Sequence, residues 1–251
     1  MTLRRRVLLA FVFGCVFLIG LLAFAPASLM GYALERASGG MLSLAQTKGS
    51  LWRGSGVALL RQKARFQTLG SYRWHLKPLS ASLQVQAGES APMTVHHAPF
   101  SSRTEIENLH ITLPASALEI AAPQLGPYQL QGELEAHSDH LVLEAAKLNG
   151  QVTIDWTNAA SGLSEVQPLG DYRIRLQGNG PSVDAQLSTL SGKLQLNGTG
   201  RFEGKNGMQI SGTAQAAPGA AAELNELLHH IGPELSPGVY ALALMPQPAA
   251  R

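Results

Sequence analysis

Two adjacent histidine pairs, His96-His97 and His229-His230, are the residues whose type first suggests chemistry. Imidazole binds metals and carries protons near neutral pH. The spacing argues against both uses. His96-His97 falls in an alternating run, where neighbours point to opposite faces and cannot easily chelate one ion together. His229-His230 closes a helical pattern, where basic side chains suit the C-terminal end of the helix dipole. Gly178-Asn179-Gly180 and Gly198-Thr199-Gly200 are followed by no helix, so they are hairpin turns rather than phosphate loops. There is no Walker sequence, no G-x-S-x-G, no H-E-x-x-H and no cysteine cluster. The expectation is a chain without catalytic residues, metal ligands, cofactor or small-molecule substrate.

One further stretch invites a contact role. In Gly49-Ser50-Leu51-Trp52-Arg53-Gly54-Ser55-Gly56, Trp52 stands between glycines. It is either an exposed contact residue or a plug under a tight turn. The plug is favoured, because tryptophan usually buries most of its area.

The elements that position these residues begin with an anchor. Arg4, Arg5 and Arg6 precede nineteen uncharged, nearly all apolar residues, Val7 to Ala25. A helix of about 20 such residues spans a bilayer core of about 30 Å. The arginines predict a cytoplasmic N-terminus by the positive-inside rule, with everything after Pro26 across the inner membrane. A cleaved signal peptide is the competing reading, since Ala23-Phe24-Ala25 and Ala25-Pro26-Ala27 fit a small-x-small cleavage pattern. The run is longer than the roughly 7–15 apolar residues of a signal sequence. Cys15 is taken as an ordinary apolar residue of the span.

Composition bounds the rest. Charged residues are 14% and aromatics 6%, and the net charge of +2 carries no nucleic-acid footprint. A single cysteine rules out a disulfide within the chain. About 220 residues outside the anchor suffice to bury a core without one.

Ser28 to Gly40 has a short helical pattern stopped by Gly39-Gly40. It lies either on the bilayer, with Tyr32 in the headgroup zone, or on the body. From Leu42 the period becomes two, with Gly, Asn, Ser and Pro between short runs. Strands are predicted near 42–47, 55–61, 72–77, 82–87, 92–97, 105–113, 129–136, 140–146, 150–156, 171–177, 182–188, 192–198 and 207–215. No useful helical period appears between Gly49 and Gln215.

An internal repeat runs through this region. Leu69-Gly70-Ser71-Tyr72, Leu125-Gly126-Pro127-Tyr128 and Leu169-Gly170-Asp171-Tyr172 share L-G-x-Y and use three of the five tyrosines. Each copy is expected to open an alternating strand with the tyrosine on the buried face. Leu148-Asn149-Gly150 and Leu190-Ser191-Gly192 extend the likeness of the second and third copies. Units of this kind bury their apolar face only by joining neighbours. The fold class expected is an all-β body, a curved antiparallel sheet or half-open β-sandwich of repeated hairpin units. A transmembrane helix precedes it and a short capping helix, Ala220 to Ile231, follows. A last strand is expected near 239–244, and a disordered tail from Pro246. The predicted divisions are 1–27 for tip and anchor, 28–41 for the juxtamembrane helix, 42–217 for the β body and 218–251 for the helix, strand and tail.

In order along the chain, the basic tip, the anchor, Ala37-Ser38-Gly39-Gly40 and Gly49-Ser50-Leu51-Trp52-Arg53-Gly54 resemble the start of type II secretion system protein N. Gly49, Leu51, Trp52 and Gly54 match that family's G-x-[LV]-W-x-G element. Pro168-Leu169-Gly170-Asp171-Tyr172-Arg173, Ser191-Gly192-Lys193-Leu194-Gln195-Leu196 and Ala216-Ala217-Pro218 resemble its C-terminal half. The resemblance implies a non-enzymatic inner-membrane subunit of the general secretion pathway, which exports folded proteins across the outer membrane of Gram-negative bacteria. It implies other inner-membrane secretion subunits as partners and no catalytic residues. Exposed strand edges would suit partner binding by strand addition. An anchored, repeated sheet also resembles periplasmic lipid-transfer proteins of the AsmA type. The inner face separates the two: a scaffold fills it with its own side chains, whereas a carrier leaves an apolar trough. The aromatic residues at the repeat starts favour filling.

Overall fold

Alternating strands separated by glycine- and proline-containing turns favour antiparallel hairpins, and every strand pairing given in register is antiparallel. The computed structural model describes residues 12–14, 17, 20–62, 65–97, 101–121, 123–145, 147–203 and 207–244. About half of the predicted span Val7–Ala25 lies outside the described residues; of those described within it, 12–14, 17 and 20–23 are helical and 24–25 are not. Among the described residues no helix is long and apolar enough to cross a membrane. The predicted tail from Pro246 also lies outside the described residues.

The chain divides into two compact units, Met1–Leu79 with Leu83–Glu89, and Ser80–Ser82 with Ser90–Arg251. The first holds helix α1 (Ser28–Ala37) and strands β1 (Leu42–Gly49), β2 (Arg53–Gln62), β3 (Arg65–Lys77) and most of β4 (Ser82–Ala87), adjacent in that order. Helix α1 lies on β1: Gly31 is buried, and a Cβ there would stand 3.4 Å from the Leu44 Cβ. Tyr32 on the same helix is exposed. Ser38 ends the helix, its Oγ accepting from the Leu42 N–H at 2.9 Å.

The second unit is a single-layered ladder in which β5 (Met93–His97), β6 (Arg103–Pro114), β7 (Leu130–Glu144), β8 (Lys147–Ser161), β9 (Gly170–Gly180), β10 (Ser182–Gly192), β11 (Leu194–Glu203) and β12 (Gly207–Ala216) follow in sequence order. It continues through β14 (Val239–Leu244) to the short β13 (Glu234–Ser236). Between β6 and β7 run the turn Ala115–Ala117, the single helical turn α2 (Leu118–Ala121) and the 3-10 segment Pro123–Tyr128. Helix α3 (Ala221–Ile231) buries Leu224, Leu227 and Leu228. These join Leu169, Leu194, Ala214, Ala220 and Tyr240 in one core cluster. A second cluster holds Ala115, Leu134, Trp156, Ala159 and Tyr172.

Several expectations are corrected here. The predicted strands 129–136 and 140–146 are one strand, β7, whose register with β8 slips between His137 and Leu141. Ser138 and Asp139 suggest a turn, but the Ser138 Oγ donates to the Gln151 carbonyl at 2.5 Å and keeps the irregularity inside the ladder. The L-G-x-Y copies are not equivalent. Tyr72 lies in mid-β3 and Tyr172 near the start of β9, but Tyr128 ends the 3-10 segment. Pro123 and Pro127 set that local turn by their fixed φ and missing N–H. The L-x-G matches diverge as well: Gly150 lies inside β8, whereas Gly192 ends β10. The short helical turns at 115–128 interrupt a region expected to hold none. The three-residue β13 was not foreseen, because its residues are all exposed and carry no alternating signal.

Candidate functional site

Backbone geometry makes a neck at the start of the first unit. The Leu51 N–H donates to the Ala25 carbonyl at 2.8 Å, and the Ala27 N–H to the Gly49 carbonyl at 3.3 Å. The Trp52 indole Nε1–H donates to the Leu22 carbonyl at 2.8 Å. That carbonyl lies in the last helical turn before Phe24 and otherwise accepts only a long 3.3 Å bond from the Ala25 N–H among the described residues. Trp52 is therefore a half-buried clasp between the helix end and the β1–β2 turn.

The ring beneath that turn is Trp74. It is buried, and its Nε1–H donates to the Leu51 carbonyl at 3.1 Å. A Cβ on Gly54 would stand 2.5 Å from the Trp74 ring and 2.8 Å from the Lys48 carbonyl. Glycine is thus required at 54 for the turn to close over the indole. Tyr72, two residues earlier on β3, is half-buried, and burial pushes its hydroxyl pKa up.

An aromatic cluster closes one end of the second unit. The Trp156 Nε1–H donates to the Gln131 carbonyl at 2.9 Å, and a Cβ on Gly132 would meet that nitrogen at 2.9 Å. Tyr172 is 1% exposed, and its hydroxyl donates to the Leu194 carbonyl at 2.9 Å. Burial, with the Asp171 charge beside it, pushes that hydroxyl far up, so Tyr172 stays protonated as a structural donor. Tyr128 stands apart from it. Its carbonyl accepts from the Ser161 Oγ at 2.6 Å, and its hydroxyl reaches the His230 carbonyl at 3.5 Å.

The histidine pairs do not converge. His97 Nδ1 bonds the Thr104 hydroxyl at 2.9 Å, and His96 lies opposite Glu105 in the register. The His229 ring meets Tyr240 edge-on at 5.1 Å, and the His230 Nδ1–H donates to the Glu226 carbonyl at 2.8 Å. Among the described residues no group of three metal-ligating side chains comes together. An open cleft of about 670 Å³ is lined by Asn158, Asp171, Ser191, Lys193 and Glu223 among others. Its polar groups satisfy one another. Asp171 accepts from the Asn158 N–H and the Ser191 Oγ, and Lys193 pairs with Glu223 at 2.7 Å.

The two faces of the second unit differ sharply. Residues directly opposite in an antiparallel ladder share a face. Ile106, Leu141 and Gly150 are joined in register, as are Leu134, Trp156 and Tyr172. Val152 pairs Leu176, which pairs Ala185, and Ile154 pairs Ile174, which pairs Leu187. The opposite face carries the charges. Arg173 holds Asp155 through two bonds of 2.6 and 2.7 Å, and Arg201 pairs with Asp184 at 2.7 Å. The Arg173 hydrogen bonds hold the Asp155 carboxyl below its usual range. The apolar face is filled at one end only, by Trp156, Tyr172 and the leucines of α3. Ile154 and Leu187 pack against the Trp156–Tyr172 cluster, but Val152, Ile174, Leu176 and Val183 remain half-exposed, which corrects the expectation that the chain's own aromatic residues fill the whole of this face.

The family model described as type II secretion system (T2SS), protein N, matches residues 41–243, most of the chain. The chain belongs to that family. No curated protein and no solved structure matches it. Membership in the protein N family makes this chain a component of the type II secretion system. The Gly49–Gly54 element falls inside the matched range, with Trp52 on the helix and Gly54 over Trp74.

Sequence reasoning singled out Trp52 and the three tyrosines, took Trp74 only as an aromatic filling the inner face at a repeat start, and gave no role to Trp156. A signal was present: the chain has three tryptophans, and the other two lie on alternating strands. The glycine partners, Gly54 and Gly132, come from neighbouring strands; Gly54 was marked only as part of the glycine-tryptophan element, and Gly132 carries no local mark.

Proposed function

We propose that this protein N family member acts as an assembly subunit of the type II secretion system. The N-terminal helix holds it in the inner membrane, its β units lie in the periplasm against other inner-membrane subunits, and it performs no chemistry of its own. The observation that carries this reading is the neck. Three main-chain and indole bonds tie the end of the N-terminal helix to the family's glycine-tryptophan element, so helix and first unit move together. The described residues of that helix support a lipid setting: Phe13, Phe17 and Phe24 are 74%, 67% and 87% exposed. Large rings exposed in this way on a helix are costly in water. Strand addition has less support than the charged sheet face. Strand β1 is flanked by α1, and the terminal β13 is only three residues long.

The test is deletion of the gene, with exoprotein secretion measured beside a complemented strain. Secretion falls on deletion and returns with the full chain. Trp52→Phe, which keeps the ring but loses the indole donor, restores it less well. Wild-type secretion in the deletion strain would refute the assignment. A periplasmic reporter after Arg251 and N-terminal sequencing of the membrane-extracted chain test the topology; a mature start near Pro26 refutes the anchor.

A further inference from the structure

The inward face of the second unit bends. A Cβ built on Gly178 would lie 2.6 Å from the Leu148 carbonyl oxygen, and one on Gly200 would lie 2.6 Å from that of Gln209. On Gly212 it would run into the Asn197 carbonyl. Strands approach this closely only when the sheet curls toward the side on which the missing Cβ would stand, and glycine permits it. Gly178 shares its face with Val183, Gly200 with Ala185, and Gly212 with Leu242. The apolar face is therefore the concave one. Among the described residues of this unit, α3 packs on β12 and β14, and Ala115 and Leu118 of the β6–β7 connection pack with Trp156 and Tyr172, leaving Val152, Ile174, Leu176 and Val183 half-exposed.

We infer that this concave face binds the acyl chains of a membrane phospholipid. Four observations choose that occupant. First, the registered inward residues from β7 to β10, from Leu134 through Ile154 and Leu176 to Leu187, carry no charge, whereas ion pairs stud the other side. Second, the polar groups on the inward side are already used. Ser138 bonds the Gln151 carbonyl, Thr189 bonds both the N–H and the carbonyl of Leu196, and Trp156 and Tyr172 bond main-chain carbonyls. A specific protein interface carries roughly one hydrogen bond per 100–200 Å². This face has few donors or acceptors left to supply them, and an acyl chain needs none. Third, two concave faces touch only at their rims, which disfavours a second copy. Fourth, the strands are more than long enough to cover an acyl chain. Each leaflet's chains span about 15 Å, half of a core of about 30 Å. An eleven-residue strand such as β9 extends for about 36 Å. The exposed phenylalanines of the N-terminal helix favour a chain held at a bilayer, and bilayer phospholipid carries such acyl chains. Burying half-exposed aliphatic surface against an acyl chain removes it from water, which favours the bound state.

The inference goes beyond the assembly role and does not require it. The experiment places a photo-crosslinking benzoylphenylalanine in the full membrane-bound chain in cells whose phospholipids carry radiolabelled phosphate. Val152 and Leu176 sample the concave face; Gln151 and Gln177, their exposed neighbours, sample the other. Phospholipid adducts form at Val152 and Leu176 at least ten-fold above Gln151 and Gln177, including in a strain lacking the other secretion genes. Protease resistance shows that each variant folds. Adducts to a protein partner or to a second copy at the concave positions would overturn the inference. So would equal labelling of both faces, or no lipid adduct in a protease-resistant chain. Secretion is assayed separately, so each reading fails on its own measurement.

Discussion

Trp156 and Tyr172 lie directly opposite each other on β8 and β9, their ring centroids 5.5 Å apart and their planes inclined at 50°. Their polar ends reach outward in opposite directions. The indole bonds Gln131 on β7, and the phenol bonds Leu194 on β11. One pair of rings thus links four strands that the hydrogen-bond ladder joins only pairwise.

That linkage predicts graded losses at Tyr172. Tyr172→Phe keeps the ring but leaves the Leu194 carbonyl without the phenol, and costs about 1–2 kcal/mol. Tyr172→Ala removes a fully buried ring and costs roughly 3–5 kcal/mol. Denaturant unfolding of the detergent-solubilised chain measures both. Equal losses for the two variants would mean that the ring itself contributes nothing.

The neck predicts intolerance at Gly54. Any side chain there meets the Trp74 indole and the Lys48 carbonyl. Gly54→Val should destabilise by about 1–3 kcal/mol through overpacking. Trp74→Leu, which opens space under the turn, should reduce the penalty of Gly54→Val in a double-mutant cycle. An additive cycle would show that the two residues do not share the strain.

The Asp155–Arg173 pair predicts a pH dependence. The carboxyl's pKa is lowered in the folded chain, chiefly by the guanidinium hydrogen bonds. A lowered carboxyl favours the folded state fully above its unfolded pKa of about 3.9, and the gain is lost as pH falls through the folded value. Wild type should exceed Asp155→Asn by about 1 kcal/mol at neutral pH, allowing for solvent screening of this partly exposed pair. The gap should close as pH falls through the lowered carboxyl value of the folded chain, and the direct measurement is the unfolding midpoint of both proteins across pH. A gap that persists in acid would assign the effect to something other than ionisation.

The histidines predict the absence of a chemical role. His96→Gln with His97→Gln, and separately His229→Gln with His230→Gln, should leave exoprotein secretion near wild type, provided the chains fold. The second pair should lower the unfolding midpoint slightly, since His229 packs on Tyr240. Normally folded variants that abolish secretion would sink the non-enzymatic reading.

Local pattern was enough for most elements. Period-two alternation marked the strands from Leu42 to Gln215 within a few residues, and the leucine stripe of Ala221–Ile231 marked α3. The order of the Gly49–Gly54 and Leu169–Tyr172 motifs was enough for the family. Alternation also told which residues share a face, because side-chain direction on a strand is a local property. It could not tell whether that face would be covered. The tertiary structure decided that Tyr128 ends a 3-10 turn while Tyr172 is buried, although both carry the same four-residue signature. It decided that Trp74, rather than Trp52, lies under the first turn. It placed Gly178, Gly200 and Gly212 where neighbouring strands press close. The physical reason is common to all three. Burial, ring partners and sheet curvature depend on residues that come together only across strands, and a period read along one strand contains no term for its neighbour.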